Sequence, residues 1–186
     1  MKDYIARHIL VFENMRDDTA FQKTFSEVIR KIQNCLLGGN KLLIAGNGGS
    51  AADAQHFAGE IVCTYKKKRK GYPALALTAN TSILTAWSND ADFSDVFARQ
   101  VQAHGKQGDI FFGISTSGRS PNILVAMDKA RSLGLITIGL LGNCGGDTKE
   151  RCDFALVIPS NDTPHIQEAH ITVIHAICEE LDKVLL

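Results

Sequence analysis

The chain has 186 residues, 45% of them apolar, and its 20 basic side chains balance 20 acidic ones. That length suits a single domain with a sizeable core. The lack of basic excess argues against a nucleic-acid-binding surface, and the lack of an apolar run near 20 residues argues against a membrane span. The start, MKDYIARHIL, has no apolar signal core, so a cytoplasmic protein is expected. Cys35, Cys63, Cys144, Cys152 and Cys178 are odd in number and form no CxxC pair, which argues against a disulfide framework and a thiolate zinc site.

In chain order, residues 1–37 form a helical extension. Phe21, Phe25, Val28, Ile32, Cys35 and Leu36 recur at helical steps from Asp3 to Leu37, and Gly38 and Gly39 close the run. Residues 41–186 then alternate short apolar runs with helical segments. The expected order is KLLIA, helix Ser50–Cys63, PALALT, helix Ser82–Trp87, helix Asp95–Ala103, DIFFGI, helix Pro121–Leu133, LITIGLL, FALVIP and helix Pro164–Leu185. Five continuously apolar strands with helices between them predict an α/β fold with a doubly wound, mainly parallel sheet. Ligands of such sheets bind beyond the carboxyl ends of the strands, near the switch in strand order. The run KKKRK, Lys66 to Lys70, reads as a solvated loop, with phosphate steering as the alternative.

The first strand runs into GNGGSA, where Asn47, Gly48, Gly49 and Ser50 lead into a helix. Glycines there let something approach the backbone, and an anion is the natural candidate at a helix N-terminus. The spacing also reads as G-x-G-x-x-A, but a dinucleotide site needs an acid at the end of the second strand, and this strand ends in Thr78, Ala79 and Asn80. The third strand runs into STSGRSPN, which carries Ser115, Thr116, Ser117 and Ser120 just before Pro121. Ser120 sits where it would cap the helix begun by Pro121. A cap needs one hydroxyl and the loop has four, so the loop reads as a cradle for a phosphomonoester.

The pair GNGGSAADAQHFAGE and GISTSGRSPNI, with GYPALAL, SND and IQEAHITVIH, resembles the sugar isomerase (SIS) domain family, and most closely its phosphoheptose isomerases. The resemblance covers nearly the whole chain. It implies a sheet of the flavodoxin-like kind, an aldose/ketose isomerase acting on sedoheptulose 7-phosphate, a homotetramer with sites at subunit boundaries, and a product bound for lipopolysaccharide core or capsule. A non-catalytic SIS module, sensing a sugar phosphate or binding a replication initiator, is the alternative. The family's active-site and zinc-binding residues match His56, Glu60, Gln167 and His175, with one zinc per subunit. Its substrate-binding positions match the two loops and Asn89 and Asp90, although SND also reads as a turn before the next helix. Gly59 stands where the family often has an acid.

Spacing adds a constraint. His56 and Glu60 are four apart, hence on one helix face. Gln167 and His175 are eight apart, a rise of about 12 Å. They share an ion only if it lies between them or if they come from different subunits. His170 points elsewhere and reads as structural. An enediol isomerisation needs a carbon base and an oxygen acid/base, roles that suit Glu60 and His175.

Overall fold

A computed structural model describes residues 1–185. Two helices, α1 (Lys2–Asp17) and α2 (Thr19–Leu37), precede five strands: β1 (Leu42–Gly46), β2 (Ala74–Ala76), β3 (Ile110–Ser115), β4 (Ile136–Leu141) and β5 (Phe154–Val157). Between and after them lie α3 (Gly49–Val62), α4 (Thr81–Asp90), α5 (Val96–His104), α6 (Pro121–Ser132), the short α7 (Gly146–Lys149) and α8 (Thr163–Leu181). All neighbours pair in parallel in the order β2-β1-β3-β4-β5. That is the flavodoxin-like winding the resemblance implies. Its switch point falls between β1 and β3, so the loops that leave these two strands face each other.

The strands alternate their side chains between two cores. Ile110, Phe112 and Ile114 of β3 join the layer formed by α2, α3 and α8, where Ile32, Phe57 and Ile174 are fully buried. Phe111 points the other way, onto α5 and α6 with Val101 and Met127. Each such buried side chain contributes about 1.5–3 kcal/mol. With helices on both faces, β1 and β3 are buried along their whole length.

The N-terminal extension is helical as expected, and it divides into two helices because Asp18 takes an extended backbone and its carboxylate accepts from Ala20 N and Phe21 N. A cap of this kind is worth about 1 kcal/mol, enough to restart the helix at a new angle. SND is not a turn: Ser88, Asn89 and Asp90 form the exposed end of α4. PALALT pairs over only Ala74–Ala76, since this strand lies at the sheet edge and turns at Leu77 and Thr78.

Candidate active site

The two loops are tied together at the switch point. Asn47, after β1, and Asn122, in the first turn of α6, exchange two amide hydrogen bonds of 2.9 Å each. Gly48 has φ +55 and ψ −121, a backbone that only glycine adopts comfortably. Neither α3 nor α6 has a side-chain cap bond at its N-terminus. Two uncapped helix starts therefore face one region, which suits an anion. A cavity of about 290 Å³ opens there, lined by Asn47, Ser120, Asn122 and the turn of Asp92, Phe93 and Ser94.

The serine loop is stiffened from within. Ser115 Oγ accepts from Gly118 N at 3.1 Å and pairs with Ser120 Oγ at 3.1 Å, while Ser117 Oγ accepts from Arg119 N at 3.1 Å. Ser120 occupies the cap position through its backbone, as expected, its carbonyl accepting from Ile123 N and Leu124 N at 3.0 and 3.1 Å, while its hydroxyl makes no cap bond. A serine oxygen that accepts a backbone N–H keeps its proton to donate. Behind the loop, Thr148 donates its hydroxyl at 2.7 Å and its N–H at 2.9 Å to the Gly118 carbonyl. Gly118 has φ +62, and a Cβ there would run into the Gly145 carbonyl.

The histidines and the glutamate come together where α3 meets α8. His56 Nε2 lies 2.9 Å from His175 Nε2 and 3.4 Å from Glu60 Oε1. Tyr65 stacks on the His175 ring, with centroids 5.8 Å apart. Gln167 lies nearer the glycine loop, its amide packed where a Cβ on Gly49 would sit. His56, Glu60, Gln167 and His175 thus line one seam of α3 and α8, while Asn89 and Asp90 bond to each other at the exposed end of α4. Two imidazoles and a carboxylate suit Zn²⁺. The side-by-side approach of the two Nε2 atoms, only one of which can donate to the other, fits a shared cation. Among the described residues, however, the three His, Asp or Glu donor atoms that lie within 4.8 Å of one another belong to His8, His165 and Glu168, where α1 meets α8.

Several residues around the seam escaped the sequence reading. Burial pushes the Asp53 carboxyl up to about 6 against the pull of His56, and its Oδ2 is buried without a partner. Arg69 is not solvated as KKKRK suggested: its side chain is 1% exposed and pairs with Asp182, 3% exposed, at 3.1 Å. It also donates to the Glu60 and Ile61 carbonyls at 2.8 and 3.0 Å, fixing the end of the helix that carries Glu60. Only the long-range partner, Asp182, could have marked it. His170 is fully buried, and burial pushes its ring down to about 4, as befits a core residue. Of the cysteines, all free, Cys35 and Cys178 are buried and each is pushed up to about 12, chiefly by burial.

The profile of the SIS domain family matches residues 3–142. This chain belongs to that family of sugar-phosphate-type α/β domains. A phosphoheptose isomerase of Trichlorobacter lovleyi is 49% identical over 100% of this chain and 95% of its own length. One of Aliarcobacter butzleri is 49% identical over 92% of this chain and 96% of its own. The structure of the phosphoheptose isomerase from Neisseria gonorrhoeae superposes with a TM-score of 0.92 at 38% identity, covering 98% of this chain and 97% of that one. Within the SIS family, the chain belongs to the phosphoheptose isomerases.

Proposed function

We propose that the chain converts sedoheptulose 7-phosphate to D-glycero-D-manno-heptose 7-phosphate through an enediol. The observation that carries this reading is the placement of Glu60 and His175 on one seam with a glycine loop that is tied to a four-hydroxyl loop. The phosphate would rest on Ser115, Thr116, Ser117 and Ser120, with Asn47, Gly48, Gly49 and Ser50 on the other side. Its carbonyl end would then reach the α3–α8 seam, with Gln167 beside it and Asn89 and Asp90 at the rim. Glu60 takes a proton from C1, exchanges it with solvent while the enediol persists and delivers a solvent-derived proton to C2, and His175 moves the proton between the two oxygens. His56, Glu60 and His175 would hold a zinc ion, with Gln167 as fourth donor from a neighbouring copy of the chain, and a metal-bound Glu60 would act as base through its other oxygen. When bound, the metal supplies Lewis-acid polarisation of the carbonyl.

Ile5, Ile9 and Leu10 on α1 are 47%, 50% and 56% exposed, an apolar row that supports a homotetramer. Among the described residues no helix is long and apolar enough to cross a membrane, in keeping with a cytoplasmic enzyme that feeds activated heptose to lipopolysaccharide core or capsule. The test is a proton NMR time course of sedoheptulose 7-phosphate in D₂O, with and without zinc after chelation. Manno-heptose 7-phosphate with deuterium at C2 is expected. Glu60→Gln should slow kcat by about 10²–10⁴ while the sugar phosphate still binds. Binding without turnover by the wild-type chain would instead identify a non-catalytic module.

A further inference from the structure

The cluster at the α1–α8 contact lies apart from the seam just described. His8 Nδ1 lies 2.7 Å from Glu168 Oε2, and His165 Nδ1 lies 3.2 Å from the same oxygen. A tetrahedral site with ligands at about 2.0–2.1 Å has donor atoms roughly 3.3 Å apart, so these separations are already close to those of a bound ion. The surroundings also suit one. Tyr4 donates its hydroxyl to the other Glu168 oxygen at 2.7 Å, fixing the carboxylate. The His165 side chain is only 2% exposed, its Nε2 is buried without a hydrogen-bond partner, and Asp162 Oδ2 stands 3.8 Å from that nitrogen. At that distance Asp162 makes no hydrogen bond to the ring, and a small shift would bring it to the far nitrogen, where a carboxylate ordinarily orients a histidine ligand.

The His8 and Glu168 side chains are 30% and 40% exposed, and they line an open cavity of about 440 Å³ with Tyr4. We propose that His8, His165 and Glu168 form a second divalent-metal site, of the two-imidazole, one-carboxylate kind that takes Zn²⁺ with water in the open position. The ion clamps α1 onto the first turns of α8. Its donors come from two helices and are 157 residues apart in sequence at their nearest, His8 to His165, so filling the site fastens the N-terminal extension to the α/β core.

The test uses the full chain, stripped with chelator, returned to zinc, dialysed and assayed for metal by mass spectrometry. A His56→Ala/His175→Ala variant, which lacks the seam's imidazoles, should keep close to one zinc per chain. Adding His8→Ala should reduce that to near zero. Zinc at about a hundredfold over its Kd should raise the thermal midpoint of the first variant by about 5 °C or more, and should leave the triple variant's midpoint unchanged. Should the double variant fail to fold, the single change His8→Ala in the wild-type chain must lower the stoichiometry by one. Zinc content and zinc-dependent midpoint that do not respond to His8→Ala would overturn the site.

Discussion

Asp182→Asn should destabilise the chain by about 3 kcal/mol or more, although it changes one oxygen to an NH₂ group. Asp182 accepts from Arg69 Nε at 3.1 Å through Oδ1 and from the N–H groups of Lys66 and Lys67 at 2.8 and 3.0 Å through Oδ2. An asparagine has a single acceptor oxygen. In either orientation its NH₂ must face a guanidinium or a pair of amides, and the buried Arg69 charge loses its counterion. Removing one partner of a buried ion pair costs about 3–5 kcal/mol, a large share of the roughly 5–15 kcal/mol that holds a domain folded. The asparagine keeps part of the hydrogen bonding, which places the expectation at the lower end.

The assay is equilibrium urea unfolding of both proteins at one protein concentration. Its pH dependence gives a second reading. Burial raises the Asp182 carboxyl, but the N–H groups of Lys66 and Lys67 and the Arg69 guanidinium outweigh it and hold the group below the usual carboxylate range. Its contribution is therefore fully present above the unfolded pKa near 4 and is lost as pH falls through the lower folded value. The penalty of Asp182→Asn should shrink in acid accordingly. Because Arg69 also holds the Glu60 and Ile61 carbonyls, kcat should fall as well, with KM less affected. A penalty under 1 kcal/mol at pH 7, or one equally large well below pH 3, would refute the assignment of this pair as the lock on α3.

Gly118→Ala forces a left-handed φ on a residue whose Cβ meets backbone; KM for the sugar phosphate should rise at least tenfold, roughly 1.4 kcal/mol of binding, and a KM unchanged in steady-state assays would remove the serine loop from phosphate binding. His170 is held neutral by burial, with its folded pKa at about 4 against an ordinary 6.5. The unfolded chain therefore takes up its proton first, and up to about 3 kcal/mol of stability present above pH 6.5 is lost as pH falls toward 4. Urea midpoints of the wild type and of His170→Phe should converge over that range; parallel profiles would contradict it.

The strands and both loops were legible because they rest on local signals. Apolar runs mark β1, β3 and β4, and glycines or hydroxyls at their carboxyl ends mark the loops. What the sequence hid is decided by distant partners. Arg69 lies in a run of lysines that reads as solvated, and only the fold brings Asp182, 113 residues away, to its guanidinium. SND is built of turn-forming residues, yet it ends a helix whose packing onto α5 comes from Leu84 and Trp87. His8 carries no motif at all, and its partners are set by the angle between α1 and α2 at the Asp18 break.

α8 explains how these features depend on one another. On the sequence, the eight-residue gap between Gln167 and His175 lets them share an ion only if it lies between them or if they come from different subunits. In the fold, α8 runs alongside α3 in the same direction, so that Gln167 meets Gly49 while His175 meets His56. Seven residues of one helix match eight of the other, about 10 and 12 Å. The gap is the length of a site that extends from the glycine loop to Glu60. Other faces of the same helix send His165 and Glu168 to α1, His170 into the core, and the residue just past its end, Asp182, to Arg69. Ile166, Ile174 and Ile177, all fully buried, set the register in which these contacts are made at once. A one-residue deletion within α8 would turn its later residues by about 100°. It would take His175 from His56 and leave Gln167 in place, uncoupling the chemistry from the substrate's resting place.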